Sequence, residues 1–166
     1  MGGRLFIIRG NSASGKSTIA KKLQLELGYG TMLIPQDVIR REIVRVKDEP
    51  NNPAIELIKL TAMYGKKIGY NVILEGILSS NRYSAMIRDL VDEFGENTYA
   101  YYYDVSFEET LRRHSLKPVA SEYGEKQMRE WWQEKDYLNI QQEKTISENM
   151  NIDDIIAMIL SDADIR

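Results

Sequence analysis

Short, uninterrupted apolar runs alternate along this chain with longer stretches whose apolar residues recur every three or four positions. The runs at 4–9 (RLFIIR) and 71–76 (NVILEG) do not alternate polar with apolar, and glycine closes both. That is the pattern of strands buried on both faces of a parallel sheet. A weaker run at 31–35 (TMLIP) and an aromatic, β-branched one at 98–105 (TYAYYYDV) predict two more strands, and the short KTIS stretch at 144–147 a fifth. Between them, residues 15–27 place Ile19, Leu23 and Leu27 on one helical face and stop at Gly28. Helices are also predicted over 37–46, over 52–69 with Pro53 in the first turn, and over 79–94, which opens on capping residues and ends at Gly95. Three more are predicted over 106–114, 125–138 and 151–160, and 115–124 is the irregular stretch away from the strand ends.

Strands that alternate with helices make βαβ units, so the expected fold class is α/β, with a parallel sheet covered on both faces. No repeat, linker or low-complexity tract divides the chain, and 166 residues fit one domain, 1–166, better than two. A hydrophobic content of 43% is enough for a buried core. Cysteine is absent, which excludes disulfides, thiolate metal ligands and cysteine nucleophiles and agrees with a cytoplasmic location. No leader-like segment or membrane-length apolar run is expected. The net charge of −3 disfavours a protein built to grip a nucleic-acid backbone.

The strongest chemical signal is Gly10-Asn11-Ser12-Ala13-Ser14-Gly15-Lys16-Ser17, a complete G-x-x-x-x-G-K-[ST] string between a predicted strand and a predicted helix, with Thr18 next in the first turn. Glycines let such a loop turn its N–H groups onto phosphate oxygens, and the following helix adds its positive end. Lys16 can reach the β- and γ-phosphates, and the Ser17 hydroxyl can ligate Mg²⁺.

Asp37 directly follows a predicted strand, and Arg40 lies three residues on, facing the crevice beyond the strand ends where open α/β sheets bind ligands. There a carboxylate can accept or orient a hydroxyl proton, and an arginine can hold a phosphoryl group. Asp37 can equally be a helix N-cap beside a solvated Arg40, and Arg41 can stand in for Arg40. Glu75 ends a predicted central strand, where it can serve the metal side of the loop or pair with a neighbouring cation, and Gly76 permits close backbone approach. No guanine-specifying N-K-x-D occurs, which argues against a GTPase-type switch.

The loop, the small size and the alternating pattern resemble P-loop kinases of the nucleoside monophosphate kinase-like class. The nearest likeness is to small-molecule and polynucleotide 5′-hydroxyl kinases, chloramphenicol phosphotransferase and zeta toxins. The resemblance implies a three-layer α/β/α fold, with five parallel strands in the order 2-3-1-4-5 and a helical lid near 115–136. It implies ATP and Mg²⁺ as cofactors, with Ser17 and Glu75 on the metal side. The Asp37–Arg40 pair is similar to the acid-and-arginine pair of polynucleotide and shikimate kinases, which implies an alcohol acceptor. A small-molecule phosphoryl acceptor is thus expected: a nucleoside, a sugar or an antibiotic-like compound, framed by residues 45–60 and 77–88. A nucleoside monophosphate kinase and a nucleotide-binding regulatory module without transfer are the alternatives. Family lids close with arginines, for which Arg112, Arg113, Lys117 and Arg129 are candidates, with Arg113 placed on the nucleotide and Arg129 in a catalytic role. The chain departs from the family in following Arg113 with Lys117, which lacks the planar fork of a second arginine. Tyr123, Trp131, Trp132 and Tyr137 can stack on a flat ligand or pack the lid, and His114 is expected to be an ordinary helix residue. The expected assembly is a monomer or homodimer.

Overall fold

The two uninterrupted apolar runs lie side by side at the centre of a five-stranded sheet in the computed structural model, which describes residues 2–165. Strands β1 (Leu5–Gly10), β2 (Thr31–Pro35), β3 (Asn71–Gly76), β4 (Thr98–Asp104) and β5 (Glu143–Ser147) are all parallel, in the order β2-β3-β1-β4-β5. The chain is therefore an α/β P-loop fold with the strand order expected above. Every residue of β1 is buried.

Side-chain alternation divides the core between the two faces of the sheet. Leu5, Ile7, Val72 and Leu74 face one way, toward α3 (Pro53–Lys67) and α4 (Ser80–Phe94), which supply Ile58, Ile87 and Leu90. Phe6, Ile8, Ile73 and Tyr101 face the other way, toward Ile19 and Leu23 of α1 (Lys16–Leu27) and Ile155 and Ile159 of α7 (Ile152–Asp162). Each fully buried Leu or Ile contributes about 1.5–3 kcal/mol, so these faces fix the sheet, and with it the ends of β1, β2 and β3. Asn52, Ser106 and Asn151 cap the helices they precede, α3, α5 (Phe107–Ser115) and α7.

Three elements differ from the sequence pattern. The helix expected over 37–46 is one α turn, α2 (Gln36–Val38), followed by a π-helix at Ile39–Val44 that Arg45 ends in the left-handed region, at φ 58°. The helix expected over 125–138 stops as α6 (Glu125–Trp131). There Gln133 N–H donates to Asn11 Oδ1 at 2.8 Å and Asn11 Nδ2 donates back to the Gln133 carbonyl at 2.7 Å, so the phosphate loop takes the groups a longer helix would have used. At α4, Ser79 makes no side-chain cap; instead the distant Asp136 carboxylate accepts from Ser80 N at 2.8 Å and from Ser80 Oγ. A carboxylate at a helix N-terminus is favourable wherever in the sequence it comes from.

Arg9, the last side chain of β1 before Gly10, is fully buried. It donates through Nε and Nη2 to the Leu78 carbonyl, through Nη1 to the Asp136 carbonyl and Glu143 Oε1, and through Nη2 to Asp136 Oδ2, all at 2.9–3.1 Å. Every N–H of the guanidinium thus finds an acceptor. The sheet, the loop after β3 and the segment after α6 meet at this side chain, directly beneath the phosphate loop.

Candidate active site

The phosphate loop joins β1 to α1, and Gly15 adopts φ 110°, a conformation that side chains beyond glycine rarely reach. Helix α1 has no side-chain cap and no acidic residue in its first turn. Its first N–H groups, with the positive end of the helix dipole, are left for an anion. Lys16 is nearly buried and donates to the Asn11 carbonyl at 2.8 Å. Burial lowers its amine from 10.5 to about 8, against the pull of Glu75 and with a push from Lys117. Incoming phosphate oxygens would replace the carbonyl as its partner.

Ser17 Oγ donates to Glu75 Oε1 at 3.2 Å. Burial raises the Glu75 carboxyl above the usual carboxylate range, while Lys16 and the Ser17 hydrogen bond draw it down. A hydroxyl and a carboxylate are hard oxygen donors of the kind Mg²⁺ takes. Among the described residues no group of three or more His, Cys, Asp or Glu side chains could hold a metal. The pair therefore fits an ion that also keeps waters and phosphate oxygens, not one enclosed by protein alone.

A cavity of about 650 Å³ runs from this loop across the ends of β2 and β3. Lys16, Ser17, Glu75, Asp37 and Arg40 all line it. Asp37 is no N-cap: it lies inside α2, and its two oxygens accept from Arg40 at 2.9 Å and from Arg41 at 3.4 Å. Arg40 also donates to the Val46 carbonyl at 3.1 Å, which closes the π-helical turn around it. Glu75 pairs with Ser17 and feels Lys16 and Asp37, so it is more than a partner for a nearby surface cation. Gly76 does permit a close approach, but what approaches is Gln36: a Cβ at Gly76 would lie 2.8 Å from that side chain.

The basic candidates divide. Arg113 stands on α5 against the outer side of the phosphate loop, donating to the Ser14 carbonyl, to Glu109 Oε1 at 2.8 Å and to the Glu148 carbonyl at 3.2 Å. It borders a second hollow with Gly15, Thr18, Tyr103 and Asn151. Arg112 pairs with Glu109 on the exposed side of α5. Arg129, expected in a catalytic role, is not brought to the cavity; it pairs with Glu125 at 2.8 Å and stacks 4.3 Å over Phe107, because a helix that stops at Trp131 points it outward. Lys117 lines the cavity instead.

The aromatic residues divide as well. Tyr123 and Trp131 line the cavity, and the Tyr123 hydroxyl lies 3.3 Å from Ser12 Oγ. Trp132 packs edge-on against Phe107, and Tyr137 packs against Tyr102 while bonding Asp104 at 3.0 Å. His114 is buried, stacked on Tyr123 with ring centroids 4.5 Å apart and hydrogen-bonded to its carbonyl, so it shapes the wall that Tyr123 presents. Segments 45–60 and 77–88 contribute Lys47, Asp48, Ile77, Ser79 and Arg82 to the lining. Sequence reasoning did not single these out; the one available signal was charge in the stretches just after strand ends. Gln36, buried and bonded to the Tyr83 hydroxyl at 2.9 Å, gave no signal at all.

A family model described as an AAA domain matches residues 5–138. No curated protein matches the sequence. Among solved structures, an APS kinase from Mycobacterium tuberculosis, captured with AMPPNP and APS, superposes with a TM-score of 0.71 at 16% identity, covering 98% of each chain. A gluconokinase from Sinorhizobium meliloti superposes with a TM-score of 0.66 at 14% identity over 98% of this chain and 91% of its own. A sugar kinase from Janibacter superposes with a TM-score of 0.69 at 18% identity over 98% and 95%. At these identities the likeness establishes a kinase-like P-loop fold. Among the described residues no helix is long and apolar enough to cross a membrane.

Proposed function

The chain belongs to this AAA-domain family of P-loop nucleotide-binding proteins, and on that premise we propose that it is an ATP-dependent kinase acting on the hydroxyl of a small molecule. One observation carries the reading: the Asp37 carboxylate, held by Arg40 and Arg41, shares a cavity with Lys16, Ser17 and Glu75. A nucleotide-binding module without transfer needs no such carboxylate, and a nucleoside monophosphate kinase, whose acceptor is already anionic, needs no base.

In this reading the backbone of residues 10–17, Thr18 and Lys16 hold the phosphates of ATP, with Arg113 beside the nucleotide. The acceptor oxygen forms a bond to the γ-phosphorus as the bond to the β–γ bridging oxygen breaks, ADP leaves, and the hydroxyl proton passes to Asp37. Arg40 and Lys117 face the charge on the moving phosphoryl group. Mg²⁺, held by Ser17 and Glu75, would neutralise phosphate charge when bound. Arg129 takes no part. Residues 115–136 serve as the lid, with Tyr123 and Trp131 excluding water that would compete with the acceptor. The whole chain, 1–166, works as one domain, in the cytoplasm where ATP is supplied.

The test is ATP turnover and product formation across a library of hydroxyl compounds, with Lys16→Ala as control. Asp37→Asn should lower transfer about a hundredfold or more while nucleotide affinity stays within about threefold. Transfer that survives Asp37→Asn would point to a phosphate acceptor. Only acceptor-independent hydrolysis with every compound would sink the kinase reading.

A further inference from the structure

The end of the cavity away from the phosphate loop is unusually basic for an acidic chain. Six Lys or Arg side chains line the cavity against four carboxylates in a protein of net charge −3, and in the segments that follow β2 and β3 Arg40, Arg41, Lys47 and Arg82 stand with the carboxylates Asp37 and Asp48. Both carboxylates are shared. Asp37 is divided between Arg40 and Arg41. Asp48 accepts a hydrogen bond from the Tyr83 hydroxyl at 2.7 Å and meets Arg82 only at 3.3 Å. Among the described residues the buried Nε–H of Arg40 and of Arg82 finds no partner, so the fold saturates neither guanidinium. Like charges gathered in a concave, partly dry site repel one another unless an anion sits among them.

The moving phosphoryl group accounts for Arg40, and Asp37 pairs with Arg41, but the nucleotide does not account for Lys47 and Arg82. Its phosphates belong to the loop after β1, with Lys16 and the N-terminus of α1. Lys47 follows the π-helix beyond β2, and Arg82 stands in the first turn of α4, beyond β3. These two elements frame the side from which an acceptor meets Asp37. Resting on the kinase reading above, we propose that the acceptor carries, besides its hydroxyl, an oxyanion group such as a phosphate monoester or a carboxylate, and that Arg82 and Lys47 bind that group with Arg40 and Arg41 between it and the reacting oxygen. Planar arginine forks suit both kinds of oxyanion. The Arg82–Asp48–Tyr83–Gln36 chain fixes the distance from the anion site to α2, where Asp37 stands. The acceptor would be selected by two points, a charge at one end and a hydroxyl at the other.

The experiment uses the full chain with ATP, Mg²⁺ and matched acceptors: neutral sugars, polyols and nucleosides, each beside its phosphate monoester and, where it exists, its carboxylate counterpart. The expected result is a kcat/KM about tenfold or more higher for an anion-bearing member, with the two charged arms showing which oxyanion is used. Arg82→Gln should raise KM for that member about tenfold, with kcat within about twofold, and so narrow the preference over the neutral compound. If Arg82→Gln fails to fold, Lys47→Gln, at the exposed rim, and the salt dependence of KM serve the same purpose; KM should rise with ionic strength for the charged acceptor only. Efficient transfer to neutral members with no gain from the anion would overturn this proposal and leave the kinase reading intact. So would transfer confined to 5′-hydroxyl oligonucleotides, assayed beside the small acceptors. Absence of transfer to every compound would defeat both.

Discussion

Lys16 carries the clearest pH signature in the molecule. Its amine sits at about 8 in the unliganded protein and at 10.5 when free of the fold. Between those values the unfolded chain holds a proton that the folded chain has lost, so stability rises as the pH climbs from 8 to 10.5, and the cost of burying the ammonium is present in full below 8. A polyphosphate beside the amine favours the charged form. Nucleotide binding near pH 8 should therefore be accompanied by proton uptake. Calorimetry in two buffers of different ionisation heat would show it, identical heats would contradict it, and Lys16→Met should reduce the uptake, leaving any part that belongs to Lys117, whose amine burial also lowers. At this scale the sequence was most legible where the chemistry is local. Residues 10–17 are contiguous, and Asp37 and Arg40 sit three apart, so spacing alone placed them. Lys47, Arg82 and Arg129 depend on where loops turn and helices stop, and spacing carries no such information.

The elements follow the same division. Short apolar runs closed by glycine marked β1 and β3, which are buried on both faces, whereas β2 and β5, each with a single fully buried residue, gave weaker signals. The stretch after β2 is expected as an ordinary helix because α and π turns place apolar residues at nearly the same intervals, and the wider ring shows only in its bonds, such as Arg45 N–H to the Arg40 carbonyl five residues back. Arg45 ends that element at φ 58°, a left-handed conformation that costs a side-chain-bearing residue about 1–2 kcal/mol. Arg45→Gly should relieve this strain, less the extra chain entropy of glycine, and stabilise the protein by about 0.5–1 kcal/mol in urea unfolding. The short α6 invites a different test. Asn11→Ala removes the reciprocal pair with Gln133 and should cost about 1–3 kcal/mol. It should also speed amide exchange around 131–135, because the phosphate loop would no longer hold the end of the lid segment. Unchanged exchange there would show that packing holds this segment without Asn11.

For the whole molecule, the decisive residue is Arg9. It read as the polar end of an apolar strand, and nothing nearby hinted otherwise, since its acidic partners lie 127 and 134 residues downstream. Arg9→Met should destabilise the protein by about 3–5 kcal/mol, because Asp136 and Glu143 would be left buried without their cation. Replacing all three with neutral residues of similar size should recover much of that loss in denaturant unfolding. If the single change proves neutral, the network is not what joins the lid segment to the sheet.

The same network orders events in time as the chain is made. At about 5–20 residues per second, a ribosome that has just added Arg9 needs on the order of ten seconds to reach Glu143. Until then Arg9, at the end of the strand beneath the phosphate loop, lacks both carboxylates that pair with it in the finished fold. The nucleotide site, encoded first, is therefore completed late, and a nascent chain cut short before Asp136 would emerge with the whole phosphate motif and no working site.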